Sequence, residues 1–426
     1  MPELRARLDR IGGTLGLAAL CIFAFGYVGG KAIANVGLVL LLLSFCLCVP
    51  ARAEMLLKDG LVRLGLVWMA YVLALAAWSS HLYPATRPFS SLTEVWSFAF
   101  IPLVALASRG DTRRVIGVLL LALAGVIFRQ LADLNLGDGL LFDYTTIALG
   151  AGRNLAVLFI DVAATGCIAL LVALAAMKQR SAAWRAGAAL GILACLVLLL
   201  LGWVAARSRV SLVMLPLAVV ALLGCGWLGG RVDKGRAWVV GGLFCAALAG
   251  LVAFNLPLVM AEMAKDTDTW RAIFTGQLEG IAIDATGLRV HMWQLAFSKW
   301  ITSPLIGAGL SVGHFLSEDP QRPFLADFNH FHSTYVEILL RTGLIGALFY
   351  LAAAGLVLAA IRSAVREGRM PRGLRDFQLI SLGIFLALGA TNSILFFQQG
   401  WHFVVLFGGL AYGYRWAPRS PERNSP

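Results

Sequence analysis

The chain has 426 residues, of which 59% are hydrophobic and 14% charged, with a formal net charge of +12. A mean hydropathy of +0.81 excludes a soluble domain of this length, because too little polar sequence is present to cover a water-facing surface. The positive charge is scattered in small groups between apolar runs, which excludes the basic face of a nucleic-acid-binding domain.

A hydrocarbon core about 30 Å thick needs roughly 20 apolar residues per helix, and the alternation of a membrane barrel is absent. The pattern therefore predicts an all-α polytopic membrane protein of twelve transmembrane helices. In chain order the expected spans are 12–28, 33–50, 61–79, 93–108, 115–129, 154–177, 184–205, 210–228, 237–260, 334–361, 377–396 and 400–415. No small-residue cleavage site follows the first run, so it is expected as a retained span and not as a signal peptide. The domain organisation that follows is 1–259 for the first nine spans, 260–333 for a long outer loop, 334–415 for the last three spans and 416–426 for an inner tail. All seven cysteines (Cys21, Cys46, Cys48, Cys167, Cys195, Cys225 and Cys245) lie inside apolar runs. They are expected as small buried hydrophobes, not as a disulfide framework or zinc site.

Short loops rich in Lys and Arg stay cytoplasmic. With the N-terminus inside, the inner segments are the N-terminal tail, the loops near Arg52, Arg109, Lys178 and Arg231, the stretch from Arg362 to Arg375, and the C-terminus. Together they hold 23 of the 35 basic residues, which predicts that both termini are cytoplasmic. The outer side then contains a loop near 81–93, the stretch 129–153, a tight turn at 207–209 and the long loop. Within that loop Trp293, Ala296, Phe297 and Trp300 recur at helical spacing, predicting an interfacial amphipathic helix over 290–301 that ends before Pro304.

Three outer arginines are candidate anion ligands. Arg207 and Arg209 join two long apolar runs with no acidic neighbour in sequence, where a guanidinium must snorkel outward or find an anion. Arg289 opens the amphipathic helix. Guanidinium groups bind phosphate oxygens bidentately and stay charged at any relevant pH, so a convergence of the three suits a diphosphate at the membrane surface. His330 and His332, in Asn329-His330-Phe331-His332-Ser333-Thr334, stand just before an apolar helix and are candidate proton acceptors. The plain alternative is a polar helix cap. Asp266-Thr267-Asp268 matches an Asp-x-Asp metal pattern without the sheet such motifs terminate, and is expected as a solvated acidic loop. His330-x-His332 lacks a third metal ligand. Gly307-x-Gly309 through Gly313 misses the dinucleotide spacing and is expected as a packing turn.

The run His332-Ser333, nine residues, then Gly343-Leu344-Ile345-Gly346 resembles the signature of the O-antigen ligase and O-antigen polymerase superfamily. Residues 289–315, with Pro304-Leu305-Ile306-Gly307-Ala308-Gly309, look like that family's segment from an Arg through a Trp to a Pro-Leu-x-Gly-x-Gly stretch. Ser208-Arg209 resembles its Ser-Arg pair. The local likeness covers roughly 190–350. Ala347 departs from the ligase pattern, which has Thr or Val there. The resemblance implies a GT-C-like glycosyltransferase architecture in the bacterial inner membrane, with the outer side in the periplasm. It further implies an undecaprenyl diphosphate-linked O-antigen donor, a lipid A-core acceptor, and transfer with inversion. On that basis Arg207, Arg209 and Arg289 hold the diphosphate, His332 is the base and His330 the fallback, with no metal or cofactor; the chain is expected as a monomer. The sister polymerase, a ligase acting on protein Ser or Thr, and a glycan or lipid transporter are the alternatives. Against the last, no inverted repeat is apparent and Asp161 is among few acidic residues inside a span.

Overall fold

The computed structural model describes residues 2–133, 153–177, 179–206, 208–228, 266–277 and 281–417, with single helical positions between 242 and 264. The described elements are α1 (Pro2–Gly29), α2 (Lys31–Lys58), α3 (Gly60–Leu82), α4 (Leu92–Val95), α5 (Ile101–Ser108), α6 (Thr112–Ala132), α7 (Arg153–Ala176), α8 (Ala182–Ala205), α9 (Arg209–Leu228), α10 (Thr267–Thr275), α11 (Ala285–Trp300), α12 (His314–Ser317), α13 (Thr334–Arg366), α14 (Arg372–Thr391) and α15 (Gln398–Tyr412). No strand occurs among the described residues. In lipid, backbone donors and acceptors must be satisfied within each segment, and helices do this.

Eight of these helices are long and apolar enough to cross a membrane: α1, α2, α3, α6, α7, α8, α13 and α14. The bent pair Pro88–Val95 and Ser97–Ser108, angled by 57°, makes a ninth crossing if taken as one span. The protein is therefore a multi-pass membrane protein. The expected spans at 210–228 and 400–415 fall on α9 and α15, whose apolar stretches are shorter. The expected span 237–260 lies outside the continuously described residues. The span expected at 377–396 is shifted to Arg372–Thr391, because the chain turns extended at Asn392 (φ −148°, ψ 144°).

Within the bundle, α1 and α2 touch backbone to backbone: a Cβ on Gly37 would stand 2.5 Å from the Phe23 nitrogen. Small residues at helix contacts allow that approach in membranes. At the start of α3, Asp59 caps the helix through Leu61 N and accepts from Tyr412 Oη at 2.9 Å and Trp416 Nε1 at 3.0 Å. Large apolar side chains such as Val39, Leu66, Leu190 and Leu351 are exposed, as lipid-facing positions are.

The layer that precedes α13 has its own apolar core. Met292, Leu295, Ala296, Val312, Phe315, Leu316, Leu325 and Phe331 pack together with Leu340 of α13. A helix is found where one was expected over 290–301, as the longer α11, which starts where Asp284 caps it by accepting from Thr286 N and Gly287 N. An N-cap carboxylate satisfies amide groups that the first turn leaves free. This layer packs on the start of α13.

Candidate active site

His330 and His332 lie on the short segment that leads into α13. Ser333 caps that helix by accepting from Val336 N at 3.4 Å. Phe331 is fully buried in the apolar core of the layer that precedes α13, and its main chain is held from two sides. Trp293 of α11 donates from Nε1 to the Phe331 carbonyl at 2.9 Å, and the Phe331 amide donates to Glu337 Oε1 at 2.7 Å. A third tie comes from α14, where the Asn392 carbonyl accepts from the Thr334 amide at 3.0 Å and its hydroxyl at 2.9 Å. With Phe331 turned inward, its two histidine neighbours pack ring to ring, centroids 4.3 Å apart. Phe328 flanks His332 and Phe397 flanks His330.

His332 adopts a left-handed backbone (φ 51°), uncommon for a residue with a side chain and typical of sites where surrounding structure dictates geometry. Arg289 precedes Trp293 by four residues, so both occupy one face of α11. The Trp293 bond to Phe331 therefore brings Arg289 beside His332. Arg289 also donates from Nη1 to the Ala285 carbonyl at 3.0 Å. Burial, then the positive charge that His330 carries when protonated, and Arg289 together push His332 down to about 3. Burial likewise lowers His330, with Glu337 opposing. Both imidazoles are neutral at pH 7 and available to accept a proton.

The structure thus brings together His330, His332 and Arg289. Arg207 lies outside the described residues. Of Arg209 the main chain is described, as the first residue of α9. Near that turn, Ser211 Oγ donates to Asp161 Oδ1 at 2.6 Å and receives a bond from Trp203 Nε1, tying α7, α8 and α9 together.

The two glycine motifs are halves of one joint. Gly343 breaks α13 (φ 64°, ψ −168°), which frees the amides of Leu344 and Ile345 to donate to the carbonyls of Pro304 and Leu305, both at 3.0 Å, while Ala308 N donates to the Leu340 carbonyl at 2.6 Å. A Cβ on Gly343 would collide with the Leu305 carbonyl, and one on Gly307 (φ 76°) would stand 2.6 Å from the Leu340 carbonyl. The stretch 304–309 is more than a packing turn, since it docks main chain to main chain in the break and fixes α11 relative to the histidine segment.

Residues 194–351 match the family model described as O-antigen ligase. That segment is similar to the O-antigen ligase family. No curated protein matches it. The matched segment includes Arg207, Arg209, Arg289, both histidines and the glycine joint, so the motif likeness and the domain boundaries coincide.

Within the matched segment, a charged group absent from the expected site supports the histidine segment. Arg341 is 4% exposed and Glu337 fully buried. The Glu337 carboxylate accepts from Arg341 Nε at 2.5 Å, while Arg341 Nη1 donates to Glu94 Oε2 at 2.6 Å and to the Leu310 carbonyl at 2.8 Å. The guanidinium carbon also sits 4.8 Å from the centroid of the Phe396 ring. A buried arginine between two carboxylates has both its charge and its donors satisfied. The signal available in sequence was an acid and a base one helical turn apart, Glu337 and Arg341, inside an otherwise apolar run.

Of the Asp-x-Asp pattern, Asp268 is exposed on the first turn of α10, whereas Asp266 is buried in helix packing. Asp266 Oδ2 accepts from Thr286 Oγ1 and Asp284 Oδ2 from Thr269 Oγ1, both at 2.6 Å, clamping α10 to α11. Among the described residues no three His, Cys, Asp or Glu side chains are grouped as metal ligands.

Proposed function

We propose that this protein is an O-antigen ligase, transferring glycan from undecaprenyl diphosphate to the lipid A-core at the periplasmic face of the bacterial inner membrane. The observation that carries this is the juxtaposition of a neutral, conformationally constrained His332 with the guanidinium of Arg289. The acceptor hydroxyl oxygen forms a bond to the anomeric carbon as the bond from that carbon to the diphosphate breaks on the opposite face, inverting the configuration. His332 takes the hydroxyl proton, with His330 as second base. Arg289, joined by Arg207 and Arg209, holds the diphosphate and stabilises the charge it gains as it leaves. Arginine thus fills the role a divalent metal has in other diphosphate-sugar enzymes.

Donor binding also adjusts the base. Arg289 is one cause of the depressed His332 basicity, and a diphosphate bound to it cancels that charge. His332 then becomes a stronger base only when the donor is in place. The positive-inside pattern supports the orientation, since the histidine segment precedes α13 while the basic stretch from Arg362 to Arg375 follows it.

Reconstitution with undecaprenyl diphosphate-linked glycan and lipid A-core tests the proposal. The expected result is glycosylated lipid A-core, reduced by about 10²- to 10⁴-fold in His332→Ala, with donor binding retained. Normal transfer by His332→Ala overturns the mechanism, and product on carrier-linked glycan alone overturns the choice of acceptor.

A further inference from the structure

Far from the histidines, α1, α6, α7, α9, α14 and α15 line an open cavity of about 540 Å³ that the proposed transfer chemistry does not use. Leu119 and Leu123 of α6, Ala169 of α7, Leu222 of α9 and Phe377 of α14 are representative of its wall, and Asp376 is the one charged side chain among the described wall residues. Such a wall accepts hydrocarbon and offers almost nothing to a polar ligand.

The end of the cavity where α6 and α14 begin is different. Arg113, Ile116, Leu120 and Leu123 follow one another at intervals of three and four on α6, so they share a face. The last three line the cavity, and Arg113, exposed, stands over its mouth. On α14, Arg372 precedes Asp376 by one turn and is also exposed. Nearby charges are matched locally: Arg375 pairs with Asp376, Arg114 with Asp111 and Arg369 with Glu367. Neither Arg113 nor Arg372 has an ion-pair partner among the described residues. A hydrocarbon-lined slot is thus rimmed by two uncompensated cations.

We infer that this cavity is a binding site for an anionic glycerophospholipid, one acyl chain within the apolar slot and the phosphate between Arg113 and Arg372. The site is distinct from the donor's. The histidine segment enters α13 at Thr334, whereas the rim lies beside its far end, Arg366, and at about 1.5 Å per residue the two ends are a bilayer apart. The inference rests on the proposed orientation only in assigning the lipid to the cytoplasmic leaflet, where anionic headgroups are plentiful.

The test is lipid binding to the purified full chain in detergent, without glycan donor, read by native mass spectrometry during titration with phosphatidylglycerol or phosphatidylcholine. One phosphatidylglycerol is expected to be retained in preference to phosphatidylcholine. Arg113→Glu with Arg372→Glu is expected to weaken it by about tenfold or more, and Arg113→Lys with Arg372→Lys to preserve it. Ala173→Trp, at an exposed wall position, is expected to block it. Unchanged retention in the Glu and Trp variants overturns the site, as does loss of binding in the Lys variant or preferential capture of undecaprenyl phosphate. Because no transfer step is measured, failure here leaves the catalytic proposal standing, and failure of His332 leaves this one.

Discussion

Glu337→Gln is the sharpest perturbation of the site, because it removes a charge and one acceptor while keeping size. Both carboxylate oxygens are in use: Oε1 accepts the Phe331 amide at 2.7 Å and Oε2 accepts Arg341 Nε at 2.5 Å. A glutamine side chain has one carbonyl oxygen, so its NH₂ group must face either the Phe331 amide or the guanidinium, donor against donor. Breaking a fully buried, hydrogen-bonded ion pair in this way costs roughly 3–5 kcal/mol. Glu94 still pairs with Arg341, which puts the loss at the lower end. If the histidine segment stays docked, the cost lowers stability; if the segment lets go, it appears in the chemistry, where each 1.4 kcal/mol is about tenfold in rate. A displacement of about 1 Å at the reacting atoms is itself worth about 10²-fold. Measured together, the melting temperature in detergent and single-turnover transfer are expected to show a combined loss of at least 3 kcal/mol, roughly. A variant with wild-type melting temperature and wild-type transfer refutes the claim that Glu337 positions His332.

Arg289→Gln removes one cause of the depressed His332 basicity, so the pH below which His332 is protonated moves up toward the ordinary histidine range. Residue-resolved carbethoxylation against pH, which reads neutral imidazole without turnover, is expected to show the His332 midpoint raised, and an unmoved or lowered midpoint contradicts the proximity of the two groups. Gly343→Ala demands a positive φ from a residue with a Cβ and drives that carbon into the Leu305 carbonyl. Strain of about 1–3 kcal/mol plus the clash predicts a clearly lowered melting temperature, and a wild-type value rules out the joint as a fixed element.

The helices were legible because lipid imposes a length and a polarity on each crossing, and α1, α2, α3, α6, α7 and α8 fall where apolar runs demanded them. His332 and Arg289 were singled out by the motif likeness and by their places before an apolar helix and at the start of the helix over 290–301, and the structure sets them near each other. What joins them was not legible. Trp293 read as a membrane anchor, since nothing in its spacing reveals a bond to a carbonyl 38 residues on. The joint at Gly343 is made of main-chain hydrogen bonds, which any residue type supplies, so sequence records it only as glycines whose missing side chains make room. Glu94 was hidden by distance, 247 residues from Arg341, on a segment expected as part of one straight span.

That last residue says how the site is built. The histidines are positioned through Phe331, Phe331 through Glu337, Glu337 through Arg341, and Arg341 through Glu94 on the bent segment preceding α5. Glu94 is the one member of this chain of contacts with substantial exposure, its side chain 35% accessible against 5% for Arg341 and 0% for Glu337. The bend of 57° at Trp96 is what turns Glu94 inward at the level of α13. Straightening that segment would withdraw Glu94 and leave Arg341 with a single counter-charge in a buried site, a state of higher energy. The bent geometry of the fourth expected span is therefore coupled to His332 through the partly exposed Glu94 and the buried Arg341 and Glu337.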